Sequence, residues 1–139
     1  MAIQIQIIEK KKLTQSFLTQ DNTEANDQIV THHDEIVALH YAAELQPDMI
    51  LLDYQISDQD TTDFIRFLFQ KSPDSKIVVL GNKLSQEQVL NCLLSGANGY
   101  LAYHSIEQHI RKAIRVVLAG EIWITRKMTA VLLDRLRNL

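Results

Sequence analysis

The sequence predicts an α/β domain built on a doubly wound, five-stranded parallel sheet, with one extra helix at its C-terminal end. Two observations carry this. Short apolar runs alternate with segments of helical period five times along the chain, the pattern of βα units that share a parallel sheet. Two of the runs, Met49-Ile50-Leu51-Leu52 and Ile77-Val78-Val79-Leu80, are apolar at every position, as strands covered on both faces must be. At 139 residues, 46% of them hydrophobic and 22% charged, the chain is one ordinary domain able to bury a core.

The elements follow in order. Ile3, Ile5 and Ile7 alternate with Gln4 and Gln6, and Ile8 follows, which reads as a first strand. Lys11 to Thr19 places Leu13, Phe17 and Leu18 at helical spacing, and Asp21 to Asp27 is polar and turn-like. Gln28 to Thr31 is a short strand. Asp34 to Leu45 is a helix that Pro47 stops. Met49 to Asp53 is a central strand ending in a carboxylate, and Gln55 to Asp60 is a loop. Thr61 to Gln70 is a helix carrying Phe64, Ile65 and Leu68, and Lys76 to Leu80 a fourth strand. Ser85 and Gln88 have capping-box spacing, so a helix should open there and run to Gly96. Gly99 to Ala102 is the fifth strand. Ser105 and Gln108 repeat the capping-box spacing before a helix that Gly120 ends. Glu121 to Thr125 is extended, and Arg126 to Leu139 is a helix with Met128, Leu132, Leu136 and Leu139 on one side.

Composition narrows the function classes. With 4 Gly and 2 Pro the chain is neither collagen-like nor low-complexity. No apolar run approaches the length of a bilayer span, and Met1-Ala2-Ile3-Gln4-Ile5 lacks the start of a signal peptide. One cysteine, Cys92, permits no internal disulfide, so a reducing cytoplasm is the expected setting. Residues 1–104 carry 7 Lys/Arg against 14 Asp/Glu, and residues 105–139 carry 7 against 3. An acidic body with a mildly basic tail is expected, without the dense patch of a nucleic-acid binder.

Several chemical motifs fail on spacing. Asp58, Asp60 and Asp63 lack the Gly and terminal Glu of a calcium loop and read as a solvated loop and helix cap. His32, His33 and His40 have no Cys or carboxylate at ligand spacing and read as surface and helix histidines. Cys92 sits on an apolar helix face and reads as a buried small residue. Gly96 and Gly99 make no phosphate loop, because no Lys-Ser/Thr follows. In an open parallel sheet, sites form at the carboxyl ends of strands. Here those ends are Glu9-Lys10, Asp53, Gly81-Asn82 and Tyr103-His104.

The segments Gln46-Pro47-Asp48-Met49-Ile50-Leu51-Leu52-Asp53 and Ser95-Gly96-Ala97-Asn98-Gly99-Tyr100-Leu101 resemble two signatures of the response-regulator receiver domain. They fall in the right order and at the right separation. Gly120-Glu121-Ile122-Trp123-Ile124-Thr125 and the tail helix further resemble the linker of the NarL/FixJ class. The resemblance implies a flavodoxin-like receiver fold over residues 1–120, with a linker-like strand and tail helix over 121–139. It also implies a site of five positions. An acidic pair for Mg²⁺ corresponds to Glu9 and Lys10, and the phosphoacceptor to Asp53. The hydroxyl position is Gly81, the lysine position Tyr103, and the switch aromatic Tyr100. The family's loop Pro and Gly become Ser57 and Thr61.

These departures define the expectation. Mg²⁺ takes oxygen ligands in a near-octahedral shell. The usual three carboxylates and one lysine carry two net negative charges, whereas Glu9, Lys10 and Asp53 sum to one. Two unit charges about 4 Å apart have a Coulomb term of about 4 kcal/mol at an effective dielectric of about 20, before desolvation. Lys10 can therefore compete for Asp53 with a weak metal site. The plain reading of Lys10-Lys11-Lys12 is a solvated run, and it is kept for Lys11 and Lys12.

The expected function is an atypical receiver, not an enzyme. It should act as a signalling and dimerisation module in transcription control, with phosphorylation weak or absent and no cofactor. Its partners would be itself or another protein, with a histidine kinase as a further candidate. DNA would be met only through a domain outside this chain, and no membrane is involved. Met128, Leu132, Leu136 and Leu139 are the expected partner face, with folding back on the domain as the plainer reading of the same stripe. Two alternatives stand beside it. One is a conventional phosphorylatable receiver with Mg²⁺ on Glu9 and Asp53, and the other a stand-alone interaction adaptor.

Overall fold

The structure, a computed structural model, describes residues 2–10, 14, 27–57 and 60–139. Apart from Thr14, the helix expected from Lys11 to Thr19 lies outside the described residues, as do Asp58 and most of the turn after Asp21. In chain order the elements are β1 (Gln4–Ile8), β2 (Gln28–His32), α1 (Glu35–Leu45), β3 (Met49–Asp53), α2 (Thr61–Lys71), β4 (Lys76–Gly81), α3 (Gln86–Ser95), β5 (Gly99–Ala102), α4 (Ile106–Leu118) and α5 (Arg126–Arg137). Single 3₁₀ turns at Tyr54–Ile56 and Tyr103–Ser105 follow β3 and β5. All strand pairs are parallel, in the order β2-β1-β3-β4-β5. The expected fold class is the observed one.

Period-two alternation sends each strand's side chains to two cores. Ile5, Ile7, Met49, Leu51, Val78, Leu80 and Leu101 meet α4 through Ile106, Ile110, Ala113, Ile114 and Val117. On the opposite face Ile8, Ile50, Leu52, Ile77 and Val79 meet α1 and α2 through Ala38, Ala42, Phe64, Ile65 and Leu68. β3 is buried along its whole length, which is why its sequence shows no alternation. Each fully buried large aliphatic side chain contributes about 1.5–3 kcal/mol. Polar Gln6 is an exception within β1: it is fully buried, and its amide nitrogen donates to Ala38 O at 2.9 Å.

The helix ends follow local chemistry. α1 stops where Gln46 turns left-handed at φ 48° and returns its N–H to Ala42 O, with Pro47 next. α3 opens on the expected capping box of Ser85 and Gln88 and ends at Gly96, whose φ of 127° suits glycine. The second expected capping box is not formed. Ser105 already has helical dihedrals, φ −106° and ψ 0°, as the last residue of a 3₁₀ turn, and its side chain makes no cap bond. A capping side chain needs extended backbone at that position. Cys92 is buried as expected, and burial pushes its thiol up to about 12.

The tail is held along one seam. Trp123 bridges to Gly99 and accepts a hydrogen bond from Tyr100 N at 3.0 Å. Thr125 caps α5. Met128 packs with Val89 and Leu90 of α3, with Ile124, Val131 and Leu132 around it. Arg135 pairs with Glu87 at 3.1 Å. Met128 and Leu132 therefore lie in an intramolecular seam, which differs from the partner face expected for them. Leu136 and Leu139 remain exposed, with Leu133.

A methyl group on Gly99 would lie 2.8 Å from Trp123 O and 2.9 Å from its Cβ. Gly99→Ala should cost about 1–3 kcal/mol through overpacking. Urea denaturation followed by emission of Trp123, the only tryptophan, measures this. An unchanged midpoint would refute the close fit.

Candidate functional site

A sheet packed on both faces leaves its strand ends as the place where polar side chains can gather. The register aligns them. Ile8 pairs with Leu52, Asp53 with Leu80, and Gly81 with Ala102. Glu9, Asp53, Gly81 and Tyr103 thus stand side by side along the carboxyl edge.

Glu9 is the centre of this group. It is only 1% exposed, and both carboxylate oxygens are engaged. Thr14 N–H donates to Oε1 at 2.9 Å and Thr14 Oγ1 donates to Oε2 at 2.9 Å. Tyr103 hydroxyl adds a longer bond to Oε2 at 3.5 Å. Burial raises the Glu9 carboxyl above its ordinary value. The bonds from Thr14 oppose this, the charge of Asp53 adds to it, and the bond from Tyr103 opposes it. Lys10, the next residue, is exposed.

Asp53 ends β3 and is 8% exposed. Its Oδ1 accepts from Gln55 N–H at 3.0 Å, which caps the 3₁₀ turn that follows. Thr61, at the loop-glycine position, donates its hydroxyl to Tyr54 O at 2.5 Å and closes the β3–α2 loop. Asp60 caps α2 by accepting from Thr62 N–H, and Asp63 pairs with exposed Arg66 at 2.7 Å.

Tyr103 reaches both acids. Burial holds its phenol far above the ordinary tyrosine value, followed by the negative charges of Asp53 and Glu9 and by hydrogen bonds to both. It is therefore a neutral donor at neutral pH. The sequence marked Tyr103 only as a lost lysine; its role as a donor to Glu9 was not read. Thr14 was missed altogether, since no motif marks a residue five positions beyond a strand-end acid. Gly81 has no side chain, and Leu84 fills the space where one would begin: a Cβ at 81 would lie 2.9 Å from Leu84 Cγ. Tyr100 donates its hydroxyl to Gly81 O at 3.2 Å.

One histidine touches the site through its backbone: His33 Nδ1 lies 2.6 Å from Glu9 O. His33 and His40 are exposed, while His32 is half-buried on β2 against Tyr41, with ring centroids 4.7 Å apart. Burial lowers the pKa of His32, and neighbouring His33 adds to the effect. Among the described residues no three His, Cys, Asp or Glu side chains gather as a metal site. A cleft of about 400 Å³ beside β5, lined by residues including Tyr100, His104, His109, Trp123 and Met128, does not include Asp53.

Because Glu9 has a raised value in the folded chain, its stabilising effect is complete below the ordinary 4.5. It is lost as pH rises through the folded value. Relative to Glu9→Gln, the parent should lose stability across that window. Parallel pH–stability curves for the two proteins would show that Glu9 is not responsible. Thr14→Ala, which leaves one buried carboxylate oxygen short of a donor, should cost about 1–3 kcal/mol at neutral pH, read by urea denaturation.

The match with known proteins covers the same stretch of chain. Residues 5–115 match the family model described as the response regulator receiver domain. The nitrate/nitrite response regulator NarL of Escherichia coli (strain K12) is 32% identical over 99 residues, covering 71% of this chain and 46% of that protein. The DNA-binding transcriptional activator DevR/DosR of Mycobacterium tuberculosis is 28% identical over 93 residues, covering 67% and 43%. The chain spans about half the length of these curated relatives. A LuxR-family two-component response regulator from Aurantimonas sp. SI85-9A1 superposes with a TM-score of 0.80 at 16% identity, covering 97% of this chain and 98% of that one. Two parallel-sheet cores, an aspartate at the end of β3 and a family match over most of the length converge: this chain belongs to the response regulator receiver domain family.

Proposed function

We propose that this receiver is atypical: a signalling and protein-interaction module in cytoplasmic transcription control that works with little or no phosphorylation of Asp53. The observation that carries the reading is the engagement of Glu9. Its two oxygens are already bonded to Thr14 and Tyr103, so a cation at Asp53 would have to share Glu9 with those donors and meet a carboxylate already held by them. Phosphoryl transfer depends on positioned cations and donors around the moving oxygens. Here Gly81 offers no hydroxyl, and Tyr103 offers a neutral phenol where a lysine would bring charge.

The donor set fits Mg²⁺ poorly. Glu9 and Asp53 are the carboxylates at the site, one Asp53 oxygen is used by Gln55 N–H, and Lys10 brings a cation to the same edge. Lys10 paired with Asp53 would supply the neutralisation that a metal otherwise provides. Relatives that are a response regulator and a DNA-binding transcriptional activator support a role in transcription. DNA contact would belong to a separate domain, and a histidine kinase or a second copy would be met by the receiver itself.

Incubation with acetyl phosphate and Mg²⁺, followed by intact mass, should show no stoichiometric phosphorylation. Robust labelling at Asp53 would overturn the proposal in favour of a conventional phosphorylatable receiver. Lys10→Asp, which replaces a cation by a second acid, should tighten Mg²⁺ binding by about tenfold, measured by calorimetric titration. An unchanged affinity would remove Lys10 from the argument.

A further inference from the structure

We propose that Leu84 takes over the place left by the missing side chain at position 81 and couples the Asp53 edge to the tail helix α5 through apolar contact. The reading of its functional meaning rests on the proposal above; the contact itself does not.

Glycine at 81 is not required by its backbone. The left-handed glycines are Gly96 and Gly120, and Gly81 is not among them. What demands glycine is Leu84. A Cβ at 81 would lie 2.9 Å from Leu84 Cγ, 3.1 Å from Cδ1 and 3.3 Å from Cδ2. The first distance is closer than carbon atoms pack, and the branch carbon cannot swing aside as a chain tip could.

Leu84 is placed firmly. Lys83 before it turns left-handed at φ 52°, and Ser85 after it begins the capping box of α3. Tyr100 holds the start of the four-residue loop by donating its hydroxyl to Gly81 O, and it packs with Leu84 against the same two apolar clusters. The loop is thus bonded from β5 at Gly81 and filled from within by Leu84.

Leu84 and Tyr100 also share a second property. Both pack against the core that contains Leu52, next to Asp53 in β3, together with Ile56 and Val79. Both also pack against the seam of Val89, Leu90 and Met128 that seats α5. A movement of the β4–α3 loop that displaced Leu84 would therefore disturb the bed of the tail helix. Close-packed interiors pass such displacements on rather than absorbing them. In this chain the link is made by a leucine in van der Waals contact, where the resemblance places a hydroxyl. Leu84 is a positioning residue for α5.

The test uses the full chain and amide hydrogen exchange of α5, with Trp123 emission as a second readout. Gly81→Ala should speed exchange in α5 by about tenfold while β1 and β3 keep their protection. Leu84→Ala alone should speed it by about threefold. In the Leu84→Ala background the methyl at 81 should have no further effect, because the atom it strikes is gone. Additive effects would overturn the coupling. So would unchanged α5 exchange in Gly81→Ala, or equal acceleration in every element. If Gly81→Ala does not fold, Leu84→Ala decides alone, and unchanged exchange at α5 refutes the proposal. None of these readouts uses phosphorylation. Labelling of Asp53 with the coupling intact would sink only the atypical reading, and the converse result would sink only this one.

Discussion

A parallel sheet buried on both faces imposes one constraint on everything else here. Its interior positions must be apolar or fully hydrogen-bonded, because an unpaired polar group there costs about 1–3 kcal/mol or more. Polar chemistry is driven to the strand ends, and parallel strands put four of those ends on one edge. Glu9, Asp53, Gly81 and Tyr103 meet because β1, β3, β4 and β5 run the same way in register. Gln6 shows the constraint from the other side. It sits inside β1 and spends its amide nitrogen on Ala38 O and His32 Nδ1, while its oxygen is the exception, with no hydrogen-bond partner among the described residues.

Much of this was legible in the residues. Met49 to Asp53 reads as a doubly covered strand because nothing in it alternates. Ser85 and Gln88 read as a cap because their spacing lets each satisfy the other's backbone. The same spacing at Ser105 and Gln108 misled, since a capping pattern says nothing of the dihedrals the chain arrives with. A 3₁₀ turn after β5 had already set Ser105 in a helical conformation. The tail stripe was also legible as a stripe, but its partner was not. Helical periodicity marks a buried face without saying what buries it, and for Met128 and Leu132 the answer was α3 of the same chain.

At the site, alignment of strand ends identified the residues, and geometry supplied their relations. The resemblance marks Tyr103 and Gly81 only as departures from a lysine and a hydroxyl position. What the side chains around them do could not be read. Tyr103 turns its phenol back to the acids, and Leu84, three residues past the strand, supplies the bulk that Gly81 lacks. Both replacements depend on side-chain direction across a loop, which one-dimensional spacing does not encode. Thr14 belongs to the same class: its bonds to Glu9 close a gap between residues whose types alone suggest no pairing.

Cys92 has a practical consequence. It is the one thiol in the chain, it lies on the buried face of α3, and burial holds it almost wholly protonated at neutral pH. Thiolate is the reactive form, so alkylating reagents meet this sulfur only when the layer between α3 and the sheet comes apart. Its rate of modification therefore counts how often that layer opens, a natural gauge of breathing on the face of the sheet that α1, α2 and α3 cover.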